Sequence, residues 1–488
     1  MQTITHPATR LHELGGSLPL VGPAIRNTAF RKWPYMILLL LLDCFFWLGT
    51  YVALSRIPGI PNNYGANDLL PPLAVTLVML SLIGGYNPRT KLASLNYASE
   101  HLISFLLAFL ISALSVYTLS AFGTAVASSR AIFGASFAIW CVLSLYSRRQ
   151  LWFAIKRLQP NLSFLVIADE KHAAQFYKSY TANKQEQNLK FFATDPSLVG
   201  RRVAGPGSPA FEGVAAEIPK RLQVRPERIY EGVVVAAAET SVDRNILSFL
   251  GTLHFASMPV YTIQSFYEAY WEKISLDLLG PTWPLQAGFQ LVQHSAFSAG
   301  KRFSDAVCAA AALLMLSPLL LMIAVALKIA DPRGPVIFRQ IRVGQYQRRF
   351  TLYKFRTMLV GSESGPLYTG ENDSRITRFG SFLRRTRLDE LPQLFNVLIG
   401  DMSLIGPRAE WIKCVERYEQ IIPYYHYRHL VRPGITGWAQ VNYPYGASVE
   451  DTIQKLKYDL YYIRNFSIRL DASVVLKTLH VMGFGKGR

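Results

Sequence analysis

Four apolar stretches in the first third of the chain constrain its fold most. They cover residues 34–54, 69–86, 102–122 and 131–146. Each approaches the roughly 20 residues that a membrane-spanning helix needs, although the last is short. Half of all residues are hydrophobic, which is a high share for a soluble protein. The sequence therefore predicts a four-helix transmembrane bundle within 31–150, preceded by a polar segment, 1–30.

Flanking charge gives these stretches a direction. Only Arg56 and Arg130 lie at one set of ends, whereas many basic residues lie at the other. The positive-inside rule then puts the N-terminus, the 87–101 loop and everything after residue 146 in the cytoplasm. Asp43 is the one acid inside a predicted span, and we expect it to accept hydrogen bonds within the bundle. The residues on the basic side are Arg26, Arg31, Lys32, Arg89, Lys91, Arg148, Arg149, Lys156 and Arg157.

The overall charge is strongly basic. There are 51 lysines and arginines against 32 acidic residues, which gives a net charge of +19. Such a charge suits an anionic membrane face or an anionic substrate. Because no nucleic-acid-binding motif accompanies it, nucleic acid is not an expected partner. The four cysteines are scattered singly, so neither a disulfide framework nor a metal knuckle is indicated.

The segment 151–265 alternates short apolar runs with helical patterns. This alternation predicts a Rossmann-like cytoplasmic α/β domain. Its first strand runs directly into Asp169-Glu170 without a glycine, so a pyrophosphate could not approach the backbone there. We therefore interpret the domain as degenerate, lacking a dinucleotide fingerprint, and structural or regulatory in role. The predicted strands are 164–168, 189–192, 229–238 and 260–263, and a linker is predicted at 266–300.

A fifth apolar run, 305–329, has the length of another span. However, both of its flanks are basic, and Ser317-Pro318 lies in its middle. Proline removes a backbone donor and kinks a helix. We therefore predict a re-entrant helix–break–helix that enters and leaves by the cytoplasmic leaflet, with Ser317 bonding a backbone group freed at the kink.

Phosphate chemistry is predicted around Asp389 and Glu390. Several arginines precede this pair, and Arg408 follows a Gly-Pro turn. Leucines at helical spacing predict that the pair opens a short amphipathic helix, whose dipole and neighbouring guanidiniums keep the carboxylates ionised. Arginine suits phosphate oxygens, and a carboxylate there can bind Mg²⁺ or act as a nucleophile. The alternative is a solvated ion-pair network on a helix face.

Three ordered motifs favour the first interpretation. They are Asp389-Glu390-Leu-Pro-Gln-Leu-Phe-Asn-Val-Leu, then Gly400-Asp401-Met-Ser, then Arg432-Pro-Gly-Ile-Thr-Gly-Trp-Ala-Gln-Val. From about residue 301 onward, the chain resembles the bacterial sugar transferase family, the monotopic phosphoglycosyl transferases. The N-terminal 300 residues resemble the extra domains of its large members more weakly. Ala409 and the 442–446 segment depart from the common pattern and are similar to members that initiate exopolysaccharide units.

The resemblance implies a monotopic α/β catalytic domain over 301–488 and a reaction. A UDP-sugar would bind with Mg²⁺, Asp389 would attack the β-phosphorus and release UMP, and undecaprenyl (polyprenyl) phosphate would then accept the sugar phosphate. Glu390 would organise the metal with Asp389 or manage protons. We expect a homodimer in the bacterial inner membrane, in contact with its lipids, with the catalytic domain on the cytoplasmic face. The identity of the hexose cannot be predicted from these residues.

The resemblance also assigns further residues. The predicted phosphate-binding residues are Lys354, Arg356, Arg384 and Arg408, and the predicted nucleotide-sugar pocket comprises Arg432, Pro433, Gly434, Thr436 and Gln440. A different function stays open, that of an inactive membrane scaffold or a nucleotide-sugar sensor of a polysaccharide assembly machine. A glycan flippase or polymerase would need many more spans than this chain offers.

Overall fold

The structure is a computed structural model in which the described residues form two compact units. One comprises the described parts of Met1–Leu42 and Ser147–Phe266, and the other those of Asp43–Tyr146 and Tyr267–Arg488. The described residues are 32–57, 66–87, 90, 92–121, 130–158, 163–183, 188–224, 230–238, 241–256, 258–280, 283–285, 295–361, 373–443, 446 and 448–483.

Among the described residues, four helices are long and apolar enough to cross a membrane. The segments that meet this criterion of length and composition are Pro34–Ser55, Tyr97–Ser115, Ala131–Ile155 and Ser298–Ala330. The stretch predicted at 69–86 instead gives a shorter apolar helix that ends at Leu82 and contains two prolines. The first four described helices are α1 (Lys32–Ser55), α2 (Ala66–Leu82), α3 (Leu95–Ala121) and α4 (Arg130–Leu158).

Aromatic rings join these four helices. The ring of Trp47 in α1 lies 5.0 Å from that of Trp140 in α4, which in turn contacts Phe105 of α3 at 5.1 Å. The Trp47 indole also donates a hydrogen bond to the Leu69 carbonyl of α2. Asp43 is fully buried and accepts hydrogen bonds of 2.7 Å from the hydroxyls of Tyr86 and Ser144. Its predicted hydrogen-bonding role is confirmed.

A five-stranded parallel sheet forms the centre of the first unit, in the order β3-β2-β1-β4-β5. The four predicted strands are present, and β3 is an addition. β3 has only four residues, one of them glycine, so its apolar pattern is too short to register. The elements are β1 (Ser163–Ala168), α5 (Glu170–Ala182), β2 (Asn188–Ala193), β3 (Phe211–Val214), α6 (Ile218–Val224), β4 (Tyr230–Ala236), α7 (Arg244–Ala256), β5 (Val260–Thr262) and α8 (Ile263–Phe266).

In the second unit, helix α9 (Ser295–Ala330) is continuous over 36 residues, with Pro318 inside it. No non-helical segment separates the two halves, in contrast to the predicted helix–break–helix. Proline at 318 leaves the carbonyl of Leu314, four residues earlier, without its helical donor. The Ser317 hydroxyl donates to that carbonyl at 2.8 Å, as predicted for a backbone group freed at this position.

Both halves of α9 pack against elements that follow it in the chain. Before the proline, Ala309 joins a cluster with Leu394 and Val397. After it, Ile323 and Leu327 join a cluster with two further residues, Phe355 and Leu383. Most of the remaining α9 surface is exposed and apolar, and it includes Phe303, Leu314, Met315, Leu321, Met322 and Ile329.

The elements after α9 build the frame of the candidate site. β6 and β7 pair antiparallel around Gly344, and β8 and β9 pair in parallel. The elements are β6 (Ile337–Val343), β7 (Arg349–Phe355), α10 (Arg378–Arg385), α11 (Gln393–Ile399), β8 (Ser403–Ile405), α12 (Ile412–Ile421), β9 (Gly434–Thr436), α13 (Trp438–Asn442), α14 (Val449–Arg464) and α15 (Ile468–Gly483).

Single helical turns connect these elements. A π-helical turn covers Tyr267–Trp271, and 3₁₀ turns cover Pro196–Leu198, Ala215–Glu217, Leu276–Leu278, Trp283–Leu285, Gln345–Gln347, Leu388–Glu390 and Tyr425–Leu430. Ile274 and Trp283, from the predicted linker, are buried in one core with α12 and α14. The final helix packs on this frame, since Thr478 shares a hydrogen bond with Thr436 at 2.8 Å.

Candidate active site

Asp389 and Glu390 lie in the 3₁₀ turn Leu388–Glu390, between α10 and α11. The predicted helix start at this pair is wrong, because the α-helix begins at Gln393 with Pro392 as its N-cap. Arg387, just before the turn, adopts the left-handed backbone conformation with φ 60°. A non-glycine residue held there is uncommon and is frequently found at functional sites.

Asp389 is buried, with 6% of its surface exposed. Among the described residues, none donates a hydrogen bond to its carboxylate. Burial raises its pKa to about 6, and the Glu390 charge adds to that shift, while Lys354, Arg384 and Arg408 oppose it. The predicted helix dipole does not act on Asp389 as expected, because the α-helix begins only at Gln393; the neighbouring cations lower its pKa as predicted but do not outweigh burial. A buried carboxylate beside three cations and without a local donor is available for chemistry.

Glu390 has the opposite electrostatic environment. Its carboxylate accepts a 2.8 Å hydrogen bond from the Arg408 guanidinium, and Arg387 lies 3.6 Å away. Burial alone would raise the pKa of Glu390, but the charge and hydrogen bond of Arg408 outweigh it and the pKa falls. Two adjacent carboxyl groups thus have pKa values shifted in opposite directions, which suits them to different roles.

Three of the four predicted phosphate-binding residues surround Asp389. Lys354 extends from β7 over the ring of Phe338, and burial lowers its pKa to about 8. Arg384, in the last turn of α10, donates from Nε to the Thr357 hydroxyl at 2.8 Å. Arg408 contacts the Asp389-Glu390 pair through its hydrogen bond to the Glu390 carboxylate. The fourth residue, Arg356, instead pairs with Asp331 at 3.1 Å beyond the end of α9.

A cavity of about 30 Å³, enough for a water molecule, adjoins this group. It adds Arg342, which sequence reasoning did not assign to the site. Arg342 lies opposite Phe350 in the antiparallel register of the hairpin. Phe350, Leu352 and Lys354 share one face of β7, because side chains alternate along a strand. The strand register could therefore have indicated that Arg342 lies on the same face as Lys354. The lining residues are Arg342, Leu352, Lys354, Glu390, Gln393, Met402, Arg408, Ala409 and Gly434.

The Gly-Pro-Arg turn and the glycine-rich loop meet backbone to backbone. Gly434 N donates to the Pro407 carbonyl at 2.9 Å, and Gly406 N donates to the Thr436 carbonyl at the same distance. A Cβ added at Gly434 would lie 2.1 Å from Gly406 N, so no side chain fits there. These glycines are required for the close crossing that sets the backbone around Arg408.

The other predicted pocket residues mostly bond the chain itself. Arg432 Nε donates to the Gly400 carbonyl at 3.1 Å, and Gln440 Nε2 donates to the Ile435 carbonyl at 3.1 Å. The Pro433 carbonyl accepts from Ser403 N, and Thr436 is paired with α15 as described above. Of these five predicted pocket residues, only Gly434 is among the described residues that line the small cavity. A role of this set in nucleotide binding stays a prediction.

Comparison with known proteins adds a second kind of observation. A family model described as "Bacterial sugar transferase" matches residues 296–485. The chain is 43% identical over 186 residues to the "Exopolysaccharide production protein PSS" of Rhizobium leguminosarum bv. phaseoli, a match that covers 37% of this chain and 92% of that protein. The chain belongs to the bacterial sugar transferase family.

Larger members of the bacterial sugar transferase family are similar as well. A "UDP-N-acetylgalactosamine-undecaprenyl-phosphate N-acetylgalactosaminephosphotransferase" of Aeromonas hydrophila is 42% identical over 259 residues, which cover 52% of this chain and 60% of that protein. A "UDP-glucose:undecaprenyl-phosphate glucose-1-phosphate transferase" of Xanthomonas campestris pv. campestris is 48% identical over 192 residues, covering 38% and 40%. The matched regions thus span less than two thirds of these two relatives.

The matched family region contains Asp389, Glu390 and the described cations that act on them. It also contains Arg428, which the sequence analysis left out. This arginine is buried with Asp459 and lies 3.0 Å from the carbonyl oxygen of Arg408. No local sequence signal joins these two positions, because they meet only through the fold.

Proposed function

We propose that the protein transfers a sugar-1-phosphate from a UDP-sugar to undecaprenyl (polyprenyl) phosphate and releases UMP. The observation that carries the proposal is Asp389, a buried carboxylate without a described hydrogen-bond donor, next to three cations in the family-matched region. The names of the relatives given above support the substrate class.

The reaction takes two balanced displacements. A carboxylate oxygen of Asp389 attacks the β-phosphorus of the UDP-sugar, and the bond from that phosphorus to the bridging oxygen breaks. UMP leaves with the oxygen and its electron pair, and an aspartyl-phosphosugar remains. A phosphate oxygen of the polyprenyl phosphate then attacks the same phosphorus and releases the Asp389 carboxylate. The product is a polyprenyl diphosphate sugar, and no net proton transfer is needed.

The cations around Asp389 fit this chemistry. Charge develops on the phosphoryl oxygens during each displacement, and preorganised cations in a buried site stabilise it. The Asp389 carboxylate lies close enough to three cations for their charges to lower its pKa, against the effect of burial. They are Lys354, Arg384 and Arg408. Arg408 also fixes Glu390, so that the second carboxylate does not compete for the phosphorus.

The carboxylate pair also fits Mg²⁺. Among the described residues, no group of three or more histidines, cysteines or acids could hold a metal ion. Mg²⁺ usually binds through one or two carboxylates together with substrate phosphates and waters, and Asp389 with Glu390 supplies that number. Bound there, Mg²⁺ would neutralise diphosphate charge and orient the leaving UMP.

Location and topology belong to the same proposal. We place the catalytic region on the cytoplasmic face of the bacterial inner membrane, with α9 re-entrant. Support comes from the two halves of α9, because the residues on each side of Pro318 pack against elements of the catalytic region. In a cysteine-free protein, single cysteines at Lys301 and Arg333 should both be labelled only from the cytoplasm. Periplasmic labelling at position 333 would contradict this arrangement.

We interpret the parallel-sheet domain as Rossmann-like and cofactor-free. We also propose that the product is the first lipid-linked sugar of an exopolysaccharide.

The test of the reaction is UMP release by purified protein with a panel of UDP-hexoses, Mg²⁺ and polyprenyl phosphate. Release with at least one sugar nucleotide is expected. Absence of UMP with every one of them would favour the inactive scaffold or sensor.

A further inference from the structure

Arg428 lies in the turn Tyr425–Leu430 and is almost fully buried, with 5% of its surface exposed. Its guanidinium makes three hydrogen bonds. Nη1 donates to the Tyr425 hydroxyl at 2.7 Å, while Nη2 donates to Asp459 Oδ2 and to the Arg408 carbonyl, each at 3.0 Å. Asp459 is 2% exposed, so the pair is buried on both sides.

Burial of such a pair is weak evidence for a stabilising role. Desolvation of two charges offsets most of their attraction, and apolar pairs of similar size are often equally stable. What an apolar pair could not replace is the hydrogen bond to the Arg408 carbonyl. That bond is one of a series. The carbonyls of Pro407, Arg408 and Ala409 accept hydrogen bonds from Gly434 N, Arg428 Nη2 and Arg342 Nη1, respectively.

Three consecutive carbonyls are therefore fixed by three different parts of the chain. The side chain between them is that of Arg408, whose guanidinium holds Glu390. A small rotation of the Arg408 backbone would swing this long side chain away from Glu390 and from the phosphoryl group beside Asp389. Small misplacements of this kind can reduce turnover by about 100-fold.

We propose that Arg428, held by Asp459, is a positioning residue that fixes the backbone of Arg408 and thereby aims its guanidinium at the reacting phosphoryl group. The inference rests on the proposed function. It assigns Arg428 no contact with substrate, so its effect should fall on kcat rather than on the KM for UDP-sugar.

The test replaces the buried pair by apolar residues, Arg428→Met with Asp459→Leu, in the full-length protein. The variant should fold with a Tm close to that of wild type, while kcat for UMP release falls about 10- to 100-fold and KM changes little. A matched control is Arg464→Met with Glu268→Leu, which removes another ion pair (3.0 Å) in the same unit and should leave kcat unchanged.

A double-mutant cycle shows whether Arg428 acts through Arg408. In an Arg408→Met background, the apolar pair should cause no further loss, because the side chain to be aimed is gone. Additive losses would instead indicate a general structural role and overturn the inference. If the apolar pair does not fold, Arg428→Lys keeps the charge but not the planar fork, and the same loss of kcat is expected.

The outcomes separate the inference from the function on which it rests. If the wild-type protein releases no UMP from any UDP-hexose, both fall. If the wild type is active and either folded variant, the apolar pair or Arg428→Lys, keeps a wild-type kcat, the positioning role alone is contradicted.

Discussion

Three carboxylates of the parallel-sheet domain differ in their surroundings from Asp389 of the catalytic region. In the sheet domain, Asp169, Asp195 and Asp243 each accept a hydrogen bond from a backbone N–H two or three residues later, at 2.9, 2.9 and 2.7 Å. Each therefore caps the start of a helix or turn after a strand or loop. Burial acts to raise the pKa of Asp169, but the hydrogen bonds from His172 outweigh it and the pKa falls.

Asp389 in the catalytic region has no such partner among the described residues. It is buried, its pKa is raised to about 6, and the nearby positive charges come from β7, α10 and the segment after β8. A carboxylate that accepts a hydrogen bond from its own turn stabilises the local backbone. A buried carboxylate that accepts none and lies among cations is suited to attack phosphorus. The Asp169 carboxylate also occupies the helix N-terminus that a pyrophosphate would need, and this supports our interpretation of the sheet domain as cofactor-free.

The largest effect is expected at Asp389. Asp389→Asn should reduce UMP release by at least about 1,000-fold, because an amide is a poor nucleophile. Its Tm should stay the same or rise, since burial disfavours the charged carboxylate. Steady-state kinetics and thermal unfolding measure the two effects. A variant that kept wild-type turnover would remove Asp389 from the chemistry.

Arg408 and Arg356 form a matched pair for the next test. Arg408→Met should reduce kcat about 100-fold, because Arg408 contacts Glu390 beside the reacting group. Arg356→Met should mainly lower the Tm, since Arg356 is buried and pairs with Asp331. If Arg356→Met instead lost turnover with an unchanged Tm, the sequence-based prediction that Arg356 binds phosphate would be supported. Our distinction between the two arginines would then be wrong.

The free energy of unfolding should depend on pH because of buried titratable groups outside the site, such as His429. Burial lowers the pKa of His429 to about 3, with the charges of Arg428 and His426 adding to the shift. The neutral form is favoured in the folded state, so stability is full above the unfolded pKa of about 6.5 and declines as pH falls from there toward 3. His429→Gln should flatten this decline in thermal unfolding between pH 7 and pH 5. An unchanged slope would argue against a neutral, buried His429.

The smallest effect is expected in the sheet domain. Asp169→Ala should destabilise that domain by about 1 kcal/mol, because the N-cap bond is lost, and should leave kcat unchanged. Denaturant unfolding and UMP release on the same preparation give the comparison. A marked loss of turnover at constant stability would give the domain a catalytic role.

Much of the fold was predictable because buried strands and apolar helices have continuous local patterns. β1, β2, β4 and β5 all lie within two residues of their predicted bounds. The turn that holds Asp389 was not predicted, because the leucines on both sides keep helical spacing through it. Pro392 fitted the first turn of a helix equally well, yet it is the N-cap.

The site was predictable only in part for a different reason. Arg384 and Arg408 belong to the same stretch of sequence as Asp389, so the sequence alone predicts that their charges act on it. Arg428 and Asp459 meet Arg408 from other elements, and a single sequence contains no local signal for such contacts. Packing of the whole catalytic region determines them.

The central claim is that Asp389 forms a covalent bond to the sugar phosphate, and lipid-free turnover tests it most directly. Purified protein with Mg²⁺ and its UDP-sugar, but without polyprenyl phosphate, should release UMP rapidly in an amount close to that of the enzyme. Radiolabelled UMP should exchange into UDP-sugar under the same conditions, and Asp389→Asn should do neither. If enzyme that is active with lipid shows neither burst nor exchange without it, the lipid phosphate attacks directly and Asp389 is no nucleophile.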